Sequence, residues 1–266
     1  MTASVRFVQV DAFADRPFAG NPAAVMPLDS WLPDATLQAI AAENNLSETA
    51  FLVADASGAS DYELRWFTPA VEVALCGHAT LASGHVLLGD APDRDAVRFA
   101  TRQAGMLEVR RAGTGYTLEL PAWPTAPRAL PELAALVGGD CLETHWRDGG
   151  YAILLYGSAR EIRALAPDFV GLRTTGNILV IATAPGDDTD VVSRVFAPGA
   201  GIDEDPVTGS AHAVIAPYWA ERLGRPSFTA FQASARGGRL DCRLAGDRVV
   251  LGGQCVTVID GMFALR

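Results

Sequence analysis

The sequence predicts an α+β fold of two similar halves, in each of which a curled sheet wraps around a buried helix. Three observations lead there. Most of the chain reads as short runs of high β-propensity broken by Gly, Pro and Asp. Two stretches, "ATLASGHVLLG" and "AHAVIAPYWAERLG", are small or apolar nearly all round in their first turns, whereas a surface helix carries a polar face. Their surroundings also resemble each other. "FTPAVEVALCGHATLASG" from Phe67 and "FAPGAGIDEDPVTGSAHAV" from Phe196 each run Phe-x-Pro, an acidic loop, then x-Gly-x-Ala opening an apolar helix. A second echo, "GNPAAV" from Gly20 and "GNILV" from Gly176, follows in the same order, as a duplicated half requires.

The elements follow in chain order. "VRFVQVDAF" is a strand by its β-branched and aromatic content. "LPDATLQAIAAENN" is a helix, with Pro33 and Asp34 in its first turn and Leu37, Ile40 and Ala41 as its apolar stripe. "NNLSETAFLV" and "YELRWFT" are strands, and the first buried helix opens after "CGH". "RFATRQAGMLEVRR", "YTLEL", "YAILLY", "VVSRVF" and "RVVLGGQCVTVI" continue the strands, with tight turns expected at "RAGTGYT" and "LGGQ". "PELAALVGG" starts a helix on proline and stops it on glycines. The second buried helix opens after "TGS", and Pro217 is expected to bend or break it. The proline-rich "LPAWPTAP" suits a linker. The expected halves are therefore residues 1–120, joined by the C-terminal strand 255–266, and residues 121–254.

Composition narrows the function. A net charge of −10 leaves no basic footprint, which excludes nucleic acid and anionic membrane as expected partners. No run approaches the ~20 apolar residues of a membrane helix, and "MTASVRFVQVDAF" lacks the basic-then-apolar shape of a signal peptide. Four widely spaced cysteines suit reduced thiols, so a cytoplasmic location is expected.

The chemistry gathers at the duplicated position. Cys76 corresponds to Thr208 and His78 to Ser210, across Gly77 and Gly209. If the halves face each other, two helix N-termini offer unpaired N–H groups to one small carboxylate or phosphate. A helix start should also lower the Cys76 thiol pKa. Glu48 stands among Leu46, Ala50 and Leu52 on one face of its strand, where desolvation would prepare it for proton transfer. A cap or turn acid is an equal reading of that residue. Asp203 and Glu204 read as caps of the second helix, while Asp205 is placed to hold a substrate amine or orient a histidine. His85 is expected to pack in the interior, and His145 and His212 have no partner pattern. Cys76 and His78 alone do not make a metal site, and neither a Gly-x-Gly-x-x-Gly nor a Walker loop supports a nucleotide cofactor.

"VDAFADRPFAGNPAAV", "NNLSETAFL", "FTPAVEVALCGHATLASGHVL" and "DEDPVTGSAHAV" resemble, in order, the motifs of the PhzF-like family of phenazine-biosynthesis isomerases. The resemblance implies a diaminopimelate epimerase-like fold: two pseudo-symmetric halves, each a mostly antiparallel β-barrel around a central helix, with the active site between them. It also implies a homodimer and a reaction without metal or organic cofactor. Carried over by motif, Glu48 is the general acid/base, and His78 and Asp205 complete the catalytic set. Asn21, Ser47, Cys76, Gly77, Thr208, Gly209 and Ser210 then bind a small carboxylate-bearing substrate. Fold relatives that racemise amino acids place a cysteine in each half; here the second is Thr208. The expected function is thus a proton-moving isomerase. The alternatives are a one-thiol epimerase or dehydratase using Cys76 and His78, or a non-catalytic module that binds a small anion.

Overall fold

The structure, a computed structural model, describes residues 3–265. The chain divides into two compact units, Met1–Glu119 with Gly252–Arg266, and Leu120–Leu251. The first runs β1 (Ala3–Ala12), β2 (Asn21–Leu28), α1 (Asp34–Asn44), β3 (Glu48–Ala54), β4 (Tyr62–Phe67), β5 (Glu72–Val73), α2 (Gly77–Asp90), β6 (Ala96–Thr101), β7 (Met106–Ala112) and β8 (Gly115–Pro121). The second runs β9 (Ala126–Pro127), α3 (Pro131–Val137), β10 (Glu143–Arg147), β11 (Tyr151–Leu155), α4 (Ala159–Ala164), α5 (Phe169–Thr174), β12 (Leu179–Pro185) and β13 (Val191–Ala197). It continues with β14 (Ile202–Asp205), α6 (Gly209–Leu223), β15 (Ser227–Gln232), β16 (Gly238–Ala245) and β17 (Arg248–Gly253), after which β18 (Cys255–Leu265) pairs with β1.

Each unit is a mixed α+β arrangement, and the two repeat one pairing scheme. In the first, β1–β2 is antiparallel, β2–β3 parallel across α1, β3–β4 and β4–β5 antiparallel, β4–β6 parallel across α2, and β6–β7 antiparallel. In the second, β10–β11, β11–β12, β12–β13, β13–β14, β13–β15 and β15–β16 follow the same signs, with α4 and α5 on the first parallel step and α6 on the second. A parallel step requires a crossover, and a helix supplies it. This scheme pairs Phe67 with Phe196, each near the end of the strand before its buried helix. It does not pair "GNPAAV" with "GNILV": the former opens β2, whose counterpart is β11, while the latter leads into β12, the counterpart of β3. That second echo is a coincidence of sequence.

Burial explains the composition of the two helices. α2 packs against β1, β2, β3, β6, β7 and β18, and all of Gly77–Gly84 is buried. A hydroxyl survives such burial by turning back on its own helix. Thr80 Oγ1 donates to the Cys76 carbonyl at 2.6 Å, and Ser83 Oγ to Ala79 at 2.7 Å. α6 is buried over Ala211–Ala216 and runs unbroken through Pro217. Proline removes the N–H that would bond to Ala213. That carbonyl instead accepts the Trp123 N–H at 3.0 Å, so the expected break is repaired from outside the helix.

Other expectations need amending. "RVVLGGQCVTVI" does divide into two strands, β17 and β18, but the "LGGQ" turn expected there does not make a hairpin of them: β18 pairs with β1. "RFATRQAGMLEVRR" is the β6–β7 hairpin, with Gly105 at positive φ in its turn. β3 is buried over Thr49–Leu52, on both faces rather than one.

Gly84 marks the tightest helix–strand approach around α2: a Cβ there would lie 2.3 Å from Val109 Cγ1 on β7. Gly84→Ala gains about 1 kcal/mol of helix propensity but overpacks a site that costs about 1–3 kcal/mol. A net destabilisation is expected in urea unfolding, and it should shrink in the Gly84→Ala/Val109→Ala double variant.

Candidate active site

The mouth of α2 collects five of the residues singled out from sequence. Cys76 is the N-cap, in extended conformation, and Gly77 is the first helical residue. One residue on, His78 is buried with 4% exposure. Its Nε2 lies 3.0 Å from Glu48 Oε2. Its Nδ1 lies 3.2 Å from Asn21 Nδ2 and 3.5 Å from Cys76 Sγ. Glu48 reaches this point because it opens β3, immediately after the left-handed turn at Asn45 that ends α1 and the part-exposed Ser47. Asn21 reaches it because it opens β2 and is fully buried. The chain entering β2 is held by buried Asp11, whose carboxylate accepts the Phe18 N–H at 2.7 Å, and by Gly20, where a Cβ would meet the Ala12 carbonyl at 2.1 Å.

Electrostatics at this mouth differ from the sequence expectation. Burial, reinforced by the neighbouring Glu48 charge, pushes the Cys76 thiol up to about 11, which outweighs the helix start that was expected to lower it. Burial also works against a charge on His78, yet Cys76 and Glu48 together hold its pKa well above the ordinary histidine value. Because Cys76 stays a thiol near neutral pH, the Glu48 carboxylate is the partner that sustains this. The ligand atoms of Glu48, Cys76 and His78 all fall within 4.8 Å of one another. The thiol meets one ring nitrogen and the carboxylate the other, however, so the imidazole stands between them. That geometry sets a histidine between a thiol and a carboxylate rather than converging three ligands on one ion.

The mouth of α6 is built differently. Thr208 is its N-cap, as Cys76 is for α2, and Gly209 follows. The Thr208 hydroxyl donates to Asp205 Oδ2 at 2.5 Å. Gln232 Oε1 accepts the Thr208 N–H at 2.8 Å, and Gln232 Nε2 donates to the Asp205 carbonyl at 2.7 Å and to Thr208 Oγ1 at 3.2 Å. Ser210 lies beside Tyr151, which packs against Trp123 and Arg147. The expected caps are not caps: Asp203 pairs with Arg173 at 2.6 Å and Glu204 with Arg194 at 2.8 Å. His212, one turn into α6, is fully buried with Nδ1 2.7 Å from the Thr208 carbonyl, and burial lowers its pKa to about 4. His85 is only part-buried, meeting Tyr116 and Thr257.

Sequence reasoning missed Gln232, Tyr151 and His212. A signal existed for Gln232: the period of two in "SFTAFQ" puts it on the buried face with Phe228 and Ala230, where a glutamine needs a polar partner.

The profile of the family described as phenazine biosynthesis-like protein, PhzC-PhzF, matches residues 10–261. The chain belongs to this family. An uncharacterized isomerase of Pseudomonas aeruginosa is 49% identical over 262 residues, covering 97% of this chain and 98% of that protein. The crystal structure of a PhzF-family phenazine biosynthesis protein from Enterococcus faecalis matches with TM-score 0.92 and 41% identity, over 99% of this chain and 100% of the other. A hydroxyproline epimerase from Agrobacterium vitis, at TM-score 0.59 and 14% identity over 100% and 94% of the two chains, shares the fold. Among the described residues of this PhzF-family chain, no helix is long and apolar enough to cross a membrane.

Two outcomes are expected from this geometry. With its thiol near 11, Cys76 in the native protein should alkylate at pH 8 at least about a hundredfold more slowly than free cysteine, read by peptide mass mapping. His212 has a folded pKa below its unfolded value of about 6.5, so the stability it contributes is present above pH 6.5. As pH falls from about 6.5 to about 4, on the order of 3 kcal/mol should be lost. A His212→Asn variant should show a flatter acid limb in urea unfolding.

Proposed function

We propose that this chain is a cofactor-independent isomerase that moves a proton within a small amino or carboxylic acid, with Glu48 removing and returning that proton. The observation that carries the reading is Glu48 itself: its side chain is 13% exposed and its carboxylate lies 3.0 Å from a buried histidine, beside a helix N-terminus. A carboxylate that removes and returns one proton depends on proximity more than on base strength, and at this exposure Glu48 can still meet a substrate. The family's relatives include proteins named isomerases, the Pseudomonas aeruginosa protein among them.

In this reading Ser47 and the amide at Gly77 receive the substrate carboxylate, since the start of a helix offers unpaired N–H groups. Asp205, Thr208, Gly209 and Ser210 serve substrate binding at the second helix. The Thr208 hydroxyl spends its proton on Asp205, so it presents lone pairs rather than a donor. The supporting argument against a thiol mechanism is the buried Cys76, which is a thiol rather than a thiolate near neutral pH.

The test is proton exchange in deuterated water with a panel of small amino and hydroxy carboxylic acids, read by mass. Glu48→Gln should cut exchange by about 10³-fold, while Cys76→Ser should keep it within about tenfold. Loss in Cys76→Ser with retention in Glu48→Gln would move the chemistry to the thiol.

A further inference from the structure

The proton on His78 has a defined place, and Asn21 is what defines it. The side-chain nitrogen of an asparagine is a donor with no acceptor capacity. Asn21 Nδ2 lies 3.2 Å from His78 Nδ1, and the Cys76 thiol reaches the same nitrogen at 3.5 Å. The thiol can donate or accept, but the Asn21 amide can only donate, so in the neutral ring Nδ1 carries the lone pair. The proton of the neutral ring therefore sits on Nε2, which faces Glu48 Oε2 at 3.0 Å. In the charged ring Nε2 is protonated as well.

We propose that Asn21 is a positioning residue that keeps His78 Nε2 protonated in every ionisation state, so that His78 turns an N–H, and never a lone pair, toward Glu48. Asn21 is fully buried and His78 nearly so, which leaves no solvent route to exchange these roles. For Asn21 this replaces the direct substrate contact expected from sequence.

The consequence concerns where a proton on Glu48 can go, and it rests on the reading of Glu48 as the proton carrier. A substrate C–H bond breaks, its electron pair stays on the substrate, and a Glu48 O–H bond forms. That proton cannot pass to His78 through Nε2, which already carries a proton in both the neutral and the charged ring. It stays on the carboxyl group until a new substrate C–H bond forms and Glu48 is an anion again. The histidine thus steadies the carboxylate without draining it.

The placement of the proton is read without any substrate, so it fails or stands apart from the acid/base reading. Long-range proton–nitrogen correlation spectra of protein labelled with 15N-histidine show four residues, and His78→Gln assigns the one in question. Through a pH titration of the unaltered protein, Nε2 of His78 should keep the shift of a protonated nitrogen while Nδ1 alone changes. Any populated Nδ1–H tautomer overturns the proposal. In Asn21→Asp the new carboxylate accepts a proton from Nδ1, so the neutral ring should move to the Nδ1–H form. Asn21→Leu, which removes the donor at similar volume, should give a mixture of both tautomers. A folded variant of either kind with the original spectrum would show that Asn21 does not set the tautomer, and the titration of the unaltered protein decides the proton's place whether or not the variants fold.

Discussion

The parallel step between β4 and β6, repeated between β13 and β15, is the constraint on which the rest of this structure depends. Parallel neighbours cannot be joined by a tight turn, so the chain must leave the sheet and come back. In each unit it does so through a helix that is buried on nearly every side. Such a helix cannot carry charge along its buried length, and Asp90 of α2 and Glu221 and Arg222 of α6 stand only at the far ends. Its polar chemistry is pushed to the one place where backbone donors stay unpaired, the first turn. Cys76–Gly77–His78 and Thr208–Gly209–Ser210 occupy that place because the topology allows little else there.

Around both mouths, amide side chains rather than charges fix the geometry. Asn21 is aimed at His78, and Gln232 spans Thr208 and Asp205 with donor and acceptor at once. An amide inside a protein is costly unless each end is matched, and when matched it dictates the direction of its neighbours' hydrogen bonds. The charged contacts of Asp203 and Glu204 sit farther out, on arginines, where they tie chain segments together.

Much of the fold was legible in the sequence, for reasons that differ by element. α2 and α6 declared themselves by lacking a polar face, and the Phe-x-Pro to Gly-x-Ala echo marked equivalent strand-to-helix corners because close packing there tolerates few residue types. The "GNPAAV" and "GNILV" echo misled, since two short motifs before strands look alike whichever strand they precede. β2 and β12 were not read, because a strand buried on both faces lacks the alternation that identifies one; β15 does alternate and was passed over. At the site, Glu48, His78 and Cys76 stood out by chemistry and position. The state of Cys76 did not, because it depends on how deep the thiol lies and on which carboxylate arrives from β3, neither of which local sequence encodes.

The hydroxyl of Thr208 is held by three bonds' worth of surroundings: it donates to Asp205, accepts from Gln232, and shares its residue's N–H with the same glutamine. The evolutionary distance from this chain to a fold relative with a cysteine in each half is therefore larger than one codon. A thiol is too weak a donor and acceptor to replace that hydroxyl, so Asp205 and Gln232 would be left mismatched in a dry corner. Exchanging Thr208 for cysteine would call for changes in the loop before α6 and at the end of β15 together.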